Sequence, residues 1–148
     1  MVAKSTRRVV VGVADTPSGR AAFHAAVLAA QQRGATLELV RVWRDIDRLF
    51  SMTLSETRRL SDSQRHDRQL LDDFRQAVAL VAPDLPCTGE LLRGDLYEDL
   101  LHRSEGADLL VLGAGDESNS SHLIGEWFRR HATCPVQLVQ PEAEPSRS

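Results

Sequence analysis

The chain has 148 residues, of which 42% are hydrophobic and 26% charged, a balance typical of a folded domain and unlike that of a disordered chain. Its 18 basic and 21 acidic residues leave a formal net charge of −3. The two signs are mixed along the chain, which argues against a nucleic-acid partner. No apolar run approaches the roughly 20 residues that cross a bilayer, so we expect no membrane partner and a cytoplasmic location.

The first predicted unit is a strand followed by a helix. Val9 to Val13 is a β-branched run without polar alternation, which is typical of a strand buried on both faces of a parallel sheet. Pro17 and Ser18 begin a helix in which alanines recur at helical spacing. Gly34 follows the last apolar residue of this pattern, where a left-handed helix terminus is expected.

The second unit is less regular. Residues 37–42 predict a second strand, but residues 44–60 are polar and of mixed period, and no element is predicted for them. Ser61 and Gln64 fit a capping box, which predicts the start of a long helix. Its apolar stripe stops before Pro83.

The second half of the chain repeats the alternation of strands and helices. Residues 88–92, 109–112 and 136–139 predict the third, fourth and fifth strands. Between them lie a helix over residues 95–106 and a short helix that carries Trp127. We therefore predict an α/β fold in which a doubly wound, five-stranded parallel sheet has helices on both faces.

The predicted fold also sets the domain limits and the place to look for a ligand. We expect one domain over residues 1–140, followed by a disordered tail over residues 141–148. In such sheets, ligands bind at the carboxyl ends of the strands, near the point where the strand order reverses. Two isolated cysteines, Cys87 and Cys134, provide neither a disulfide framework nor the ligand set of a zinc site. We expect reduced thiols and no metal.

Four short motifs together resemble the universal stress protein family. They are the Gly12-Val13 turn that leads to Pro17, the Gly94-Asp95 pair, the run from Ala107 to Gly113, and the Cys134-Pro135-Val136 sequence. The resemblance extends from about Val9 to Val139. It implies the strand order 3-2-1-4-5, a dimeric assembly in most members, and ATP binding in some members but not in others.

The glycine motif of the ATP-binding members is altered in this chain. In those members, glycine is followed after two residues by a second glycine, and after nine more by a third glycine and Ser or Thr, which together form a nest for phosphate. Over residues 113–126, Gly113 matches the first glycine and Asp116 occupies the place of the second. Gly125 comes one residue early, and Glu126 replaces the hydroxyl residue. The added carboxylates would repel a triphosphate.

The loops after the first and second strands also bear on nucleotide binding. Ala14 occupies the position of the aspartate found in nucleotide-binding members, and the neighbouring Asp15 is an uncertain substitute because adjacent residues point to opposite faces. Trp43 follows the second strand, where the family holds adenine; its indole either stacks on a base or fills the empty pocket. The candidate cofactor-binding residues are therefore Gly12, Val13, Ala14, Asp15, Val42, Trp43, Gly113, Ala114, Gly115, Gly125, Glu126 and Trp127.

Three classes of function follow from the sequence. The first is a non-enzymatic stress-response or signalling module that forms a homodimer through the apolar edge strand Val136, Gln137, Leu138 and Val139, has an unidentified protein partner, and binds ATP weakly or not at all. The alternative is a sensor that binds ATP or AMP through a rearranged glycine loop. An enzyme is not expected, because the chain has no P-loop lysine and no nucleophile elbow, and we assign no catalytic residue.

Overall fold

The computed structural model describes residues 7–43, 54–93, 96–114 and 121–141. Five strands alternate with four helices in these ranges: β1 (Arg8–Gly12), α1 (Pro17–Arg33), β2 (Thr36–Trp43), α2 (Leu54–Val81), β3 (Cys87–Arg93), α3 (Leu96–Ser104), β4 (Leu109–Gly113), α4 (Ser121–His131) and β5 (Val136–Val139). The strands form one parallel sheet in the order β3-β2-β1-β4-β5. This confirms the predicted α/β fold and the strand order that the resemblance implies.

Alternate residues of the central strand contact different helix layers. Val9 and Val11 lie in a core cluster with Phe23 of α1 and Phe74 of α2, whereas Val10 lies in a second cluster with Leu100 of α3 and Phe128 of α4. Because successive side chains of a strand point to opposite faces, α1 and α2 cover one face and α3 and α4 the other. Helices on both faces were predicted, and the structure confirms them.

Helix α1 begins and ends where the sequence predicts. The Thr16 hydroxyl accepts a hydrogen bond of 3.0 Å from the Gly19 N–H, and Pro17 occupies the first turn. At the other end, Gly34 has a φ of 62°, a left-handed conformation that glycine adopts without steric cost. These two caps fix the positions at which α1 begins and ends.

Helix α2 is longer than predicted. It begins at Leu54, so the capping box assigned to Ser61 was wrong and Ser61 lies inside the helix. No glycine or proline interrupts residues 54–61, and the strong helix formers in this segment favour its continuation. Residues 44–53, which also had no assigned element, lie outside the described residues.

The two edge strands and the chain end complete the fold. Among the described strands, β3 pairs only with β2, and β5 only with β4, so each presents an unpaired edge.

None of the helices in the described ranges has the length and apolar character needed to cross a membrane. The tail predicted to be disordered lies, from residue 142 onward, outside the described residues.

Candidate functional site

The ends of β2, β1 and β4 meet at the carboxyl edge of the sheet. Gly12 at the end of β1 is in register with Val40 of β2, and Val11 is in register with Val111 of β4. The connection after β1 leads to α1 on one face, while the connection after β4 leads to α4 on the other. This divergence makes the junction of β1 and β4 the switch point, at which ligands of such folds bind.

Val13 is anchored to the neighbouring strand through both of its backbone groups. Its N–H donates to the Val40 carbonyl at 2.9 Å, and its carbonyl accepts from Nη1 of Arg41 at 3.1 Å. The side chain is 3% exposed. The backbone polar groups of Val13 are therefore already hydrogen-bonded within the fold.

The next two residues lie against the first turn of α1. A Cβ atom placed on Gly19 would lie 2.8 Å from the Cβ of Ala14, so the helix backbone packs directly on this residue. Any larger side chain at position 14 has to point away from Gly19. Asp15 is exposed and forms an ion pair of 2.5 Å with Nη1 of Arg20.

The first glycine of the altered motif has a packing role of its own. A Cβ atom on Gly113 would lie 2.8 Å from both the carbonyl carbon and the Oγ of Ser18, and Ser18 is 3% exposed. The start of α1 thus leaves no room for a side chain at the end of β4. The next residue, Ala114, donates its N–H to the Val139 carbonyl at 2.8 Å, so this N–H is not available to a phosphate.

The last three candidate residues lie inside α4 and not in the preceding loop. The altered glycine motif extends to Glu126, but the loop itself ends earlier, because α4 begins at Ser121. A Cβ atom on Gly125 would meet Cδ2 of Leu138 at 2.7 Å, so this glycine lets the helix pack on β5. At the fifth position of the helix, the Gly125 N–H falls within the helical hydrogen-bonding pattern.

The side chains beside Gly125 have partners within α4. Glu126 is exposed and pairs with Nη1 of Arg129 at 3.4 Å. Trp127 stacks on His131, with ring centroids 4.2 Å apart and an interplanar angle of 16°, and also packs at the edge of the second core cluster. Trp127 thus contributes to packing on this face of the sheet.

The structure gives no side-chain contacts for three of the candidate residues. Gly115 lies outside the described residues. The backbones of Val42 and Trp43 end β2 and are in register with Leu92 and Arg93 of β3, but their side chains are outside the described set. The structure therefore brings the backbones at the ends of β2, β1 and β4 together, and the role of the Trp43 indole stays a prediction.

An ion pair that was not predicted from the sequence lies beneath this edge. Arg41 of β2 contacts Oδ1 of Asp67 through Nε and Nη2, both at 3.2 Å. The Asp67 side chain is only 8% exposed and that of Arg41 28%. The signal was the periodicity: Arg41 shares a strand face with Leu37 and Leu39, and Asp67 lies one helical turn before the buried Leu71.

The comparisons identify a family. The model of the universal stress protein family matches residues 5–140. Curated proteins gave no match. The family match spans every strand and helix described above.

Solved structures of this family share the fold. A universal stress family protein from Burkholderia pseudomallei is 25% identical, with a TM-score of 0.71 over 94% of this chain and 99% of that one. UspA from Lactobacillus plantarum is 24% identical, with a TM-score of 0.71 over 93% and 99%. A family protein from Arabidopsis thaliana with AMP bound is 18% identical, with a TM-score of 0.66 over 96% of each chain.

Proposed function

This chain belongs to the universal stress protein family, and on that premise we propose that it is a non-enzymatic stress-response or signalling module. In this proposal the protein acts in the cytoplasm as a homodimer and through contacts with a protein partner. It binds ATP weakly or not at all. The absence of a P-loop lysine and of a nucleophile elbow from the sequence supports a role without catalysis.

The observation that carries the proposal is that groups suited to hold phosphate are already engaged within the fold. Arg20 and Arg41, two cations near the loop after β1, each have a carboxylate partner. The Ala114 N–H is bonded to β5, and Gly113 is packed against Ser18. A triphosphate would have to break these contacts or bind without them, and either route lowers its affinity.

Homodimerisation through β5 is supported by the geometry of that strand. The N–H of Leu110 donates to the Pro135 carbonyl and that of Ala114 to the Val139 carbonyl. Since alternate residues of a strand direct their backbone groups to opposite sides, Val136 and Leu138 direct theirs to the outer edge. A second copy could satisfy these groups by antiparallel pairing about a twofold axis.

The alternative is a sensor that binds ATP or AMP, and one observation favours AMP as its ligand. Helix α4 begins at the carboxyl edge of β4, and the first turn of a helix has N–H groups that lack acceptors within the helix. The single phosphate of AMP needs fewer cations to hold it than the three phosphates of ATP do. The related Arabidopsis protein was solved with AMP bound, which supports AMP as the first ligand to test.

The experiment is a thermal-shift titration of the unmodified protein with ATP, AMP and cyclic AMP, each with and without Mg²⁺. A ligand at ten times its Kd raises the free energy of unfolding by about 1.4 kcal/mol. We expect no shift below about 100 μM ATP, because a Kd of about 100 μM or weaker corresponds to a binding free energy of at most about 5.5 kcal/mol. A clear shift at a few micromolar ATP would contradict the proposal.

A matched pair of variants tests whether the ion pairs cause the weak binding. Asp15→Asn removes the partner of Arg20, and we expect ATP to bind roughly fivefold more tightly because an exposed unit charge at contact distance contributes about 1 kcal/mol. Asp73→Asn makes the same charge change on the exposed face of α2 and is the control. Equal effects of the two variants would assign the change to net charge instead.

A further inference from the structure

The outer edge of β3 is the starting point for a second binding surface. The Leu37 N–H donates to the Pro86 carbonyl at 2.8 Å. Because backbone groups alternate in direction along a strand, Cys87, Gly89 and Leu91 direct their N–H and carbonyl groups away from β2. Among the described strands, none pairs with this edge, so it can accept another extended chain.

A groove runs beside this edge, between α2 and the start of β3. It has a volume of about 430 Å³, and its walls include Arg75, Ala79, Leu85 and Cys87. A strand added to β3 would direct every second side chain into this groove, because side chains alternate between the faces of a sheet. The open edge and the groove thus offer backbone pairing and side-chain recognition to the same segment.

Arg75 gives the groove a charged end. The aliphatic part of Arg75 lies over β3, because a Cβ atom on Gly89 would be 2.7 Å from Cδ of Arg75. Among the described residues, its guanidinium has no ion pair and no hydrogen bond. Asp72 also borders the groove, one turn earlier on α2. A carboxylate of a bound partner, placed on the β3 side of Arg75, would form an ion pair with this guanidinium.

Apolar side chains at the end of α2 are exposed next to the groove. Leu80 is 84% exposed and Val81 68%. Val81 also borders a second cleft of about 360 Å³, which shares Ala82, Pro83 and Leu85 with the first. Exposed apolar surface beside an open strand edge is typical of a protein-binding site.

We propose that β3 and the adjoining groove bind an extended segment of a partner protein by strand addition. In the bound segment, an acidic side chain meets Arg75, and an apolar side chain two positions away contacts Ala79 and Leu85. This inference rests on the proposed signalling role and names the contact through which the protein would act. A second copy of the chain is the less suitable occupant, because twofold interfaces at both β3 and β5 would produce an open polymer.

The test begins with a displayed library of random nine-residue peptides selected on the unmodified protein. We expect the selected peptides to share an acidic residue with an apolar residue two positions away. Bound peptide should slow hydrogen exchange at the N–H groups of Gly89 and Leu91. Failure to enrich any peptide, or protection confined to β5 or to the carboxyl edge, would overturn the proposal.

Two matched comparisons then test the mode of binding. Arg75→Glu should weaken a selected peptide at least tenfold, whereas Arg68→Glu, on an exposed position of the same helix, should change its affinity less than twofold. Methylating the peptide at alternate backbone nitrogens should abolish binding for one set of positions and not for the other. Tolerance of both sets would exclude strand addition.

These measurements fail independently of those that test the proposed function. The peptide titrations require neither nucleotide nor a dimer. A peptide that binds β3 while ATP also binds tightly would retain the inference and overturn the proposed weak nucleotide binding. If no peptide binds and ATP binds weakly, the inference is overturned and the proposed weak nucleotide binding is retained.

Discussion

Arg41 and Asp67 join the sheet to helix α2 directly beneath the candidate site. The guanidinium contacts one carboxylate oxygen through Nε and Nη2 at 3.2 Å, and its Nη1 donates to the Val13 carbonyl at 3.1 Å. One side chain therefore links β2, α2 and the loop after β1. This contact fixes the position of Val13, from which the rest of the candidate loop continues.

Removing Asp67 should destabilise the protein. Asp67→Ala leaves the partly buried Arg41 without its carboxylate, and we expect a loss of about 2 kcal/mol in the free energy of unfolding. Urea denaturation monitored by circular dichroism measures it. Asp73→Ala, an exposed position on the same helix, should change stability by less than about 0.5 kcal/mol. Equal losses in the two variants would show that the ion pair has no special role.

Adding a methyl group at Gly113 should also be costly. The new Cβ would lie 2.8 Å from the carbonyl carbon and Oγ of Ser18, so Gly113→Ala forces α1 away from β4 at a cost of about 1–3 kcal/mol. Thermal unfolding measures this loss. Ser18→Ala removes only the hydroxyl contact, so the double variant should recover part of the loss. Full stability of Gly113→Ala would contradict the packing argument.

The alternation of strands and helices could be expected from the sequence because a linear pattern preserves it, whereas the strand order was implied only by the resemblance to universal stress proteins. Val9 to Val11 are apolar on both faces, and the Gly34 cap ends α1 where the alanine pattern stops. The ion pair of Arg41 could not be predicted, because a charged residue within an apolar strand does not indicate which distant residue it contacts. Two long-range contacts, Ser18 with Gly113 and Gly125 with Leu138, explain glycines that the sequence alone associates with phosphate.

The proposed dimer can be tested without disturbing the monomer. Leu138 is unsuitable for substitution because it packs against Gly125, whereas the side chain of Gln137 is exposed. Gln137→Lys should place like charges near each other in an antiparallel β5 pair and weaken the dimer several-fold. Gln140→Lys, just beyond the strand, is the control. Sedimentation velocity that shows only monomer of the unmodified protein at tens of micromolar would refute the dimer.

The cysteines should react slowly in the native protein. Burial raises the pKa of the Cys87 thiol, with the Arg75 cation opposing the shift, and burial also raises the pKa of Cys134, opposed by a hydrogen bond with Ser104. Less thiolate is therefore present in the folded than in the unfolded chain, and alkylation by iodoacetamide at pH 8 should be slower without denaturant.

The same shifts predict a change of stability with pH. The folded state holds the two thiol protons more tightly than the unfolded state does, so these protons contribute to the free energy of unfolding. This contribution is fully present below the ordinary thiol pKa and is lost as the pH rises through the raised pKa values of the folded state. The double variant Cys87→Ser and Cys134→Ser should lack this alkaline loss and keep the oligomeric state of the unmodified protein. Faster alkylation of the thiols in the native state than in denaturant would contradict the raised pKa values on which both cysteine predictions rest.

Isothermal titration calorimetry of the unmodified protein with ATP and Mg²⁺ tests the central claim most directly. The engaged Arg20, Arg41 and Ala114 groups predict a Kd in the high micromolar range or weaker, equivalent to less than about 6 kcal/mol of binding free energy. A submicromolar Kd with one ATP per chain would contradict the account and show that the carboxyl edge is a functional nucleotide site.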